Sequence, residues 1–246
     1  MIAGLVASAA FAVMAAAAPA VPAPSPAVEA LPADAKVAGH GYAELAEAWW
    51  RWAYRRRDGM RPYQDPTGAE CAVGQTGDVW FLAGTAGTGA VERRCAVPEH
   101  RHVFVPVLAV LETSAPGKRR DCKALRAAVG AEAARPVTVR VELDGVPLAP
   151  VRSAARDCFD AYADAEEDDP PPGMYAPAAT DGLWLLLPPL PAGEHRLVVE
   201  AKQAATGLLP GRHDQRFAYV LEVGAAAGES DADESEADSE PERLTL

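Results

Sequence analysis

The chain has little with which to attack a substrate. Between positions 41 and 223 it has only two serines, Ser114 and Ser153, and neither lies in a Gly-x-Ser-x-Gly elbow. His-Glu-x-x-His and Cys-x-x-Cys are both missing, which removes the zincin and thioredoxin-like readings. No glycine-rich loop closes in Gly-Lys-Ser/Thr, and "GTAGTG" has the wrong order for a dinucleotide fingerprint. Positive charge is also short: 23 Lys and Arg stand against 35 Asp and Glu, a formal net charge of -12. Such a balance disfavours nucleic acid and anionic membranes as partners. After the N-terminal stretch no apolar run is long enough to cross a bilayer. Asparagine is absent while Ala, Arg, Gly and Pro abound. That bias is read as codon usage and says nothing of the fold.

What is present begins with "MIAGLVASAAFAVMAAAAPAVPAPSPA". The apolar run from Ile2 to Ala18 carries no charge, and Ala-x-Ala-like sites follow between Ala16 and Ala23. Residues 1–23 are therefore read as a secretory signal peptide, although its first residues lack Lys and Arg. Residues 24–40 form a Pro- and Ala-rich lead-in, 41–223 a single domain, and 224–246 an acidic low-complexity tail expected to be disordered. Roughly 220 residues remain after cleavage, which by size is one large all-β domain or two small ones. The four cysteines, Cys71, Cys95, Cys122 and Cys158, fit an oxidising compartment, secreted or periplasmic. Four cysteines allow three pairings. Cys71–Cys95 with Cys122–Cys158 is favoured because each closes a short local loop, and free or metal-bound thiols are the alternative.

The periodicity changes along the domain. In "GYAELAEAWWRWAYRRR", Tyr42, Leu45, Trp49 and Trp52 recur at helical spacing, so a helix is expected from about Gly41 to Arg57. Acids come early and arginines late, which suits the helix dipole. From Val79 the pattern is short β runs. "VWFLAG" and "VERRCAV" flank a glycine-rich hairpin or bulge loop, and "HVFVPVLAVLE" is an edge or bent strand because of Pro106. "DCKALRAAVGAEAA" is a second short helix. "VTVRVEL" alternates cleanly and ends in the Asp144-Gly145 hairpin turn. "LWLLLP", "HRLVVEA" and "RFAYVLEV" add three strands. The expected fold is mainly β: an antiparallel β-sandwich, Ig-like or jelly-roll-like, with one N-terminal amphipathic helix and a second short helix.

"AEAWWRWAY", "DPTGAECAVGQTGDVWFLAG", "RRCAVPEHRHVFVPVL", "VELDGVPL" and "DGLWLLLPPLPAGEHRL" follow in order along the chain. Together they resemble a family of exported bacterial proteins. That family has a WW-x-W helix, a T-G-x-x-C-x-x-x-Q-x-G-x-V-W-F-L-x-G core and a C-x-V-P strand. The likeness runs from about Ala43 to Val223. It implies the fold and a Cys71–Cys95 bridge, and it implies no chemistry, since the family has no assigned function. The chain departs from the pattern after C-x-V-P. Glu99, His100, Arg101 and His102 stand where the family has a small residue, Gly, Lys and another small residue.

Several side chains are candidates for a site. His100 and His102, at i and i+2 on a strand, would share a face, and with Glu99 they form a candidate metal set that His195 or Asp160 could complete. Trp50 and Tyr54 are a candidate ligand surface for glycan or protein. Trp49, Trp80 and Trp184 are read as core, and Gln75 as a bond to loop backbone beside the disulfide. Asp157, Asp160 and Asp164 supply carboxylates in an acidic loop without an EF-hand order. No cofactor is implied. The leading reading is an exported, non-catalytic β-sandwich with a binding or structural role at the cell envelope or outside the cell. The alternatives are a secreted hydrolase using carboxylates or a His-bound metal, and a periplasmic scaffold that recruits a basic partner through the acidic tail.

Overall fold

The computed structural model describes residues 27–55, 60–86, 89–165, 170–203 and 214–224. The signal-peptide stretch and almost all of the acidic tail lie outside these, as does part of the acidic loop at 166–169. Among the described residues the elements are helix α1 (Tyr42–Ala53), strands β1 (Val79–Phe81), β2 (Val91–Val97) and β3 (His102–Thr113), helix α2 (Cys122–Ala133), and strands β4 (Val137–Leu143), β5 (Val146–Pro147), β6 (Val151–Ala154), β7 (Ala178–Leu187), β8 (Gly193–Gln203) and β9 (Gln215–Val223). They build a sandwich of two sheets, ordered β1-β3-β7-β6 and β2-β9-β8-β4-β5. The mainly β sandwich with two helices is what the sequence led us to expect.

The core between the sheets follows from strand parity. Val103 and Val105 of β3, Val141 and Leu143 of β4, Leu197 and Val199 of β8, and Phe217, Tyr219 and Leu221 of β9 all point inward. Helix α1 covers the outer face of the first sheet. Its residues Tyr42, Leu45, Trp49 and Trp52 pack on Phe104, Trp184 and Leu186. Glu44 starts the helix by accepting the Gly41 N–H at 3.0 Å. Helix α2 begins at Asp121, whose carboxylate accepts the Ala124 N–H at 2.7 Å. It buries Leu125 and Val129 against Val110 and Ala179. Both disulfides are local: Cys71–Cys95 ties a loop to β2, and Cys122–Cys158 ties the start of α2 to the chain after β6.

The outer face of the second sheet is charged and self-paired. Arg94 meets Glu194 and Glu222, Arg196 meets Glu92, and Arg140 meets Glu142 and Glu200. These pairs are exposed, so they add little stability and weaken with salt. The hairpin turn falls at Asp144 and Gly145, both at positive φ (52° and 79°).

Two local expectations are corrected. The sheets are mixed: β1 runs parallel to β3, and β2 runs parallel to β9. The reason is that β1 and β2 do not form a hairpin. The glycine-rich stretch between them carries the chain from one sheet to the other. Strand β1 is also an edge strand of three residues, although both its faces are covered, with Val79 on the α1 side and Trp80 on the inter-sheet side. Strand β3 is bent by a bulge between Pro106 and Leu108. A side chain at Gly182 of β7 would stand 2.5 Å from the Leu108 carbonyl oxygen, so only glycine fits beneath the bulge.

Candidate functional site

The segment "FLAGT", Phe81 to Thr85, answers what the glycine-rich block is for. Each of its five consecutive carbonyls accepts a hydrogen bond from a side chain. Gln75 Nε2 donates to Phe81 O at 2.7 Å, and Trp49 Nε1 to Leu82 O at 2.8 Å. Arg93 Nη1 donates to Ala83 O at 3.0 Å and to Gly84 O at 2.9 Å. Tyr219 Oη donates to Ala83 O at 2.9 Å, and Gln215 Nε2 to Thr85 O at 3.1 Å. The two glutamines also accept: Gln75 Oε1 takes the Phe81 N–H and Gln215 Oε1 the Thr85 N–H. Side chains thus replace the ladder that this stretch lost on leaving its sheet.

Arg93 is the centre of the arrangement and is 2% exposed. It pairs with no carboxylate among the described residues. Its charge is spread over peptide carbonyls, with Nε on Asp65 O at 2.7 Å and Nη2 on Tyr63 O at 3.3 Å as well. Its guanidinium carbon lies 5.5 Å from the Tyr219 ring centre. Burial pushes the Tyr219 phenol up, with Arg93 opposing. The Asp65 carboxylate is spent on its own loop. Burial raises its pKa, but the N–H groups of Glu70 and Thr67 outweigh burial and hold it below the usual carboxylate range.

Opposite this clamped segment lies the edge of β3. Strand β1 pairs only with His102, Val103 and Phe104, and the Leu82 N–H to Phe104 O bond (3.0 Å) is the last rung. Beyond it the chain leaves for β9, and a groove of about 690 Å³ opens in the fork. Gly84, Thr85 and Gln215 form one side, Pro106 and residues 108–112 of β3 the floor, Trp50, Tyr54 and Tyr63 another side, and Ala128 and Glu132 of α2 an end.

Trp50 and Tyr54 reach this groove but are not a free platform. Trp50 donates Nε1 to Thr180 Oγ1 at 2.8 Å. Its ring stacks on Tyr54 at 5.6 Å, and Tyr54 meets Tyr162 at 4.4 Å and the Arg61 guanidinium at 5.0 Å. Burial pushes the Tyr54 phenol up, and its neighbours Tyr162 and Tyr63 add to this. Trp49, Trp80 and Trp184 are buried in the core, and Gln75 holds Cys71 O and β1 together.

The histidine candidates do not converge. Strand β3 starts at His102, whereas His100 sits in the preceding turn with φ 66°. The shared face required by the i, i+2 argument is therefore missing. The His100 side chain is 91% exposed, 3.7 Å from Glu99. His195 is held in the β4–β5 turn region by Asp144 (2.7 Å) and Pro191 O (2.9 Å). Asp160 caps its own loop through the N–H groups of Tyr162 and Gly173. Among the described residues no group of three His, Cys, Asp or Glu side chains could hold a metal.

Arg93, Tyr219 and Gln215 went unnoticed in the sequence, yet a signal was there. Cys95 points inward to its disulfide, so Arg93, two residues earlier on the same strand, must also point inward. Gln215 likewise shares the inward parity of Phe217 and Tyr219.

No family model matches the chain, and no curated protein does. Two solved structures show a partial likeness. Amebosin aligns at 9% identity over 55% of this chain and 95% of its own, with a TM-score of 0.21. The cysteine protease inhibitor EhICP2 from Entamoeba histolytica aligns at 9% identity over 54% and 86%, also with a TM-score of 0.21. Likeness at that level carries no argument about what this chain does.

Proposed function

We propose that this chain is an exported, non-catalytic binding protein whose ligand lies in the groove between the clamped segment and β3. The groove itself carries the reading. Its volume of about 690 Å³ falls within the ~300–1,000 Å³ of ligand sites, and its lining mixes aromatic and aliphatic side chains with Thr85, Glu112, Glu132 and Gln215. The reactive residue types nearby are already engaged. All four cysteines are bridged, and Ser114 is buried and accepts the Arg120 N–H. Export is supported by the two disulfides, by the N-terminal leader pattern, and by the resemblance to exported bacterial proteins.

The test is a tryptophan-fluorescence titration of the mature chain against oligosaccharide and peptide panels, repeated with Trp50→Ala. Saturable binding that the substitution weakens is the expected result. Binding that ignores Trp50, or none from either panel, counts against the groove.

A further inference from the structure

Strand parity shows what the floor of the groove offers. The Ser114 N–H donates to Pro177 O at 2.9 Å, one residue beyond the β3–β7 register of Thr113 with Ala178. In an antiparallel pair the bonding residues alternate. Glu112, Val110 and Leu108 therefore face β7, and Ala109 and Leu111 turn their N–H and C=O groups the other way, into the groove. No hydrogen bond to those backbone groups exists among the described residues. An open strand edge is usually blunted. Here it is recessed instead, where a single chain can reach it and the edge of another sheet cannot.

The aromatic side narrows the choice of occupant. The Tyr54 ring is already packed by Trp50, Tyr162 and Arg61, and Trp50 has spent its N–H and one face. Little free aromatic face remains for a sugar ring. Charge leaves one open acceptor. The groove is lined by two carboxylates, each ion-paired by an arginine that does not line it: Glu112 with Arg120 and Glu132 with Arg135. Arg120 engages only Oε2 of Glu112, so Oε1 still faces no partner among the described residues.

We propose that the groove is a strand-addition site for an extended peptide bearing Lys or Arg. Its main chain pairs with Ala109 and Leu111, and its cationic side chain reaches Glu112. This rests on reading the groove as the ligand site. The test starts with a randomised dodecapeptide display library selected on the full mature chain. The enriched peptide is then titrated in three forms: unmodified, and N-methylated at alternate residues in each of the two registers. A hexameric oligosaccharide of N-acetylglucosamine is titrated beside them. Strand addition predicts that one N-methyl register weakens binding about tenfold or more and the other much less, since only alternate amides face β3. Ala109→Pro, which removes one outward N–H, reproduces the loss, and Glu112→Gln weakens binding several-fold. Equal binding by both methylated forms overturns strand addition but leaves the groove standing. Binding of the oligosaccharide alone, lost in Trp50→Ala, does the same. If neither class binds, both readings fall together. The methylated peptides keep the test decisive should Ala109→Pro fail to fold.

Discussion

The two sides of the groove are opposites. Along Phe81 to Thr85 every carbonyl is held by a side chain from elsewhere in the fold. Along β3 the outward groups of Ala109 and Leu111 are held by nothing described. The first side leaves its partner strand after Leu82 and is held from there by side chains. The second is regular strand and is open. Regular secondary structure is thus no guide to which backbone is satisfied. A segment mostly outside any strand can be held at every carbonyl, and binding groups are best offered from elements that such contacts position.

The contrast can be broken from the restrained side first. Arg93→Met roughly keeps the volume but leaves the Asp65, Gly84 and Tyr63 carbonyls without their donor, and Ala83 O with Tyr219 alone. We expect a loss of about 4–5 kcal/mol in urea unfolding, in line with breaking a buried charged network. A change below ~1 kcal/mol would show that the carbonyls find water instead. Second, replacing Cys71 and Cys95 together by Ser should cost about 3–4 kcal/mol by the chain-entropy argument, for a bridge spanning 24 residues. Equal unfolding midpoints with and without the bridge would refute this.

The open side supplies a sharper pair. Val110→Pro removes an N–H that serves the β7 ladder and should cost about 2–3 kcal/mol. Ala109→Pro, one residue away, should cost less than ~1 kcal/mol because its N–H faces outward. If the two variants melt alike, the assigned parity is wrong, and the strand-addition site goes with it. The smallest effect is one of pH. Tyr42, pushed up to about 12 by burial, joins Tyr54, Tyr162 and Tyr219, all raised by burial. Above pH ~10 the unfolded chain sheds these protons before the folded chain does, so stability falls as pH rises from there. Urea midpoints that stay flat from pH 9 to 11 would show that the phenols are wetter than the structure places them.

Legibility from the sequence followed the physics of each element. α1 and the Asp144-Gly145 hairpin announce themselves locally, through helical spacing and turn chemistry. Inward faces of β4, β8 and β9 follow from alternation. What stayed hidden was the crossing between sheets: "VWFLAG" and "VERRCAV" read as strands around a glycine-rich hairpin or bulge loop, because nothing local says which sheet a strand will join. The site inherits that blindness. Trp50 and Tyr54 were visible as aromatics near a surface. The fork between β1 and β3, the clamp of Arg93 and the open parity of Ala109 exist only once the crossing is known. The histidines misled for a related reason, since i, i+2 spacing shares a face only if both residues are in the strand, and β3 begins at His102.

The parallel pairing of β2 with β9 has a consequence in time. Strand β2 lies at the edge of its sheet, with β9 as its only neighbouring strand there, and Val91 pairs with Phe217 across 126 positions of chain. Arg93 meets Tyr219 only on that pairing. A chain delivered from its N-terminus cannot seat β2 in its sheet until β9 arrives. Contacts of such separation are slow to form. The second sheet therefore leaves the place of β2 unfilled until β9 is present.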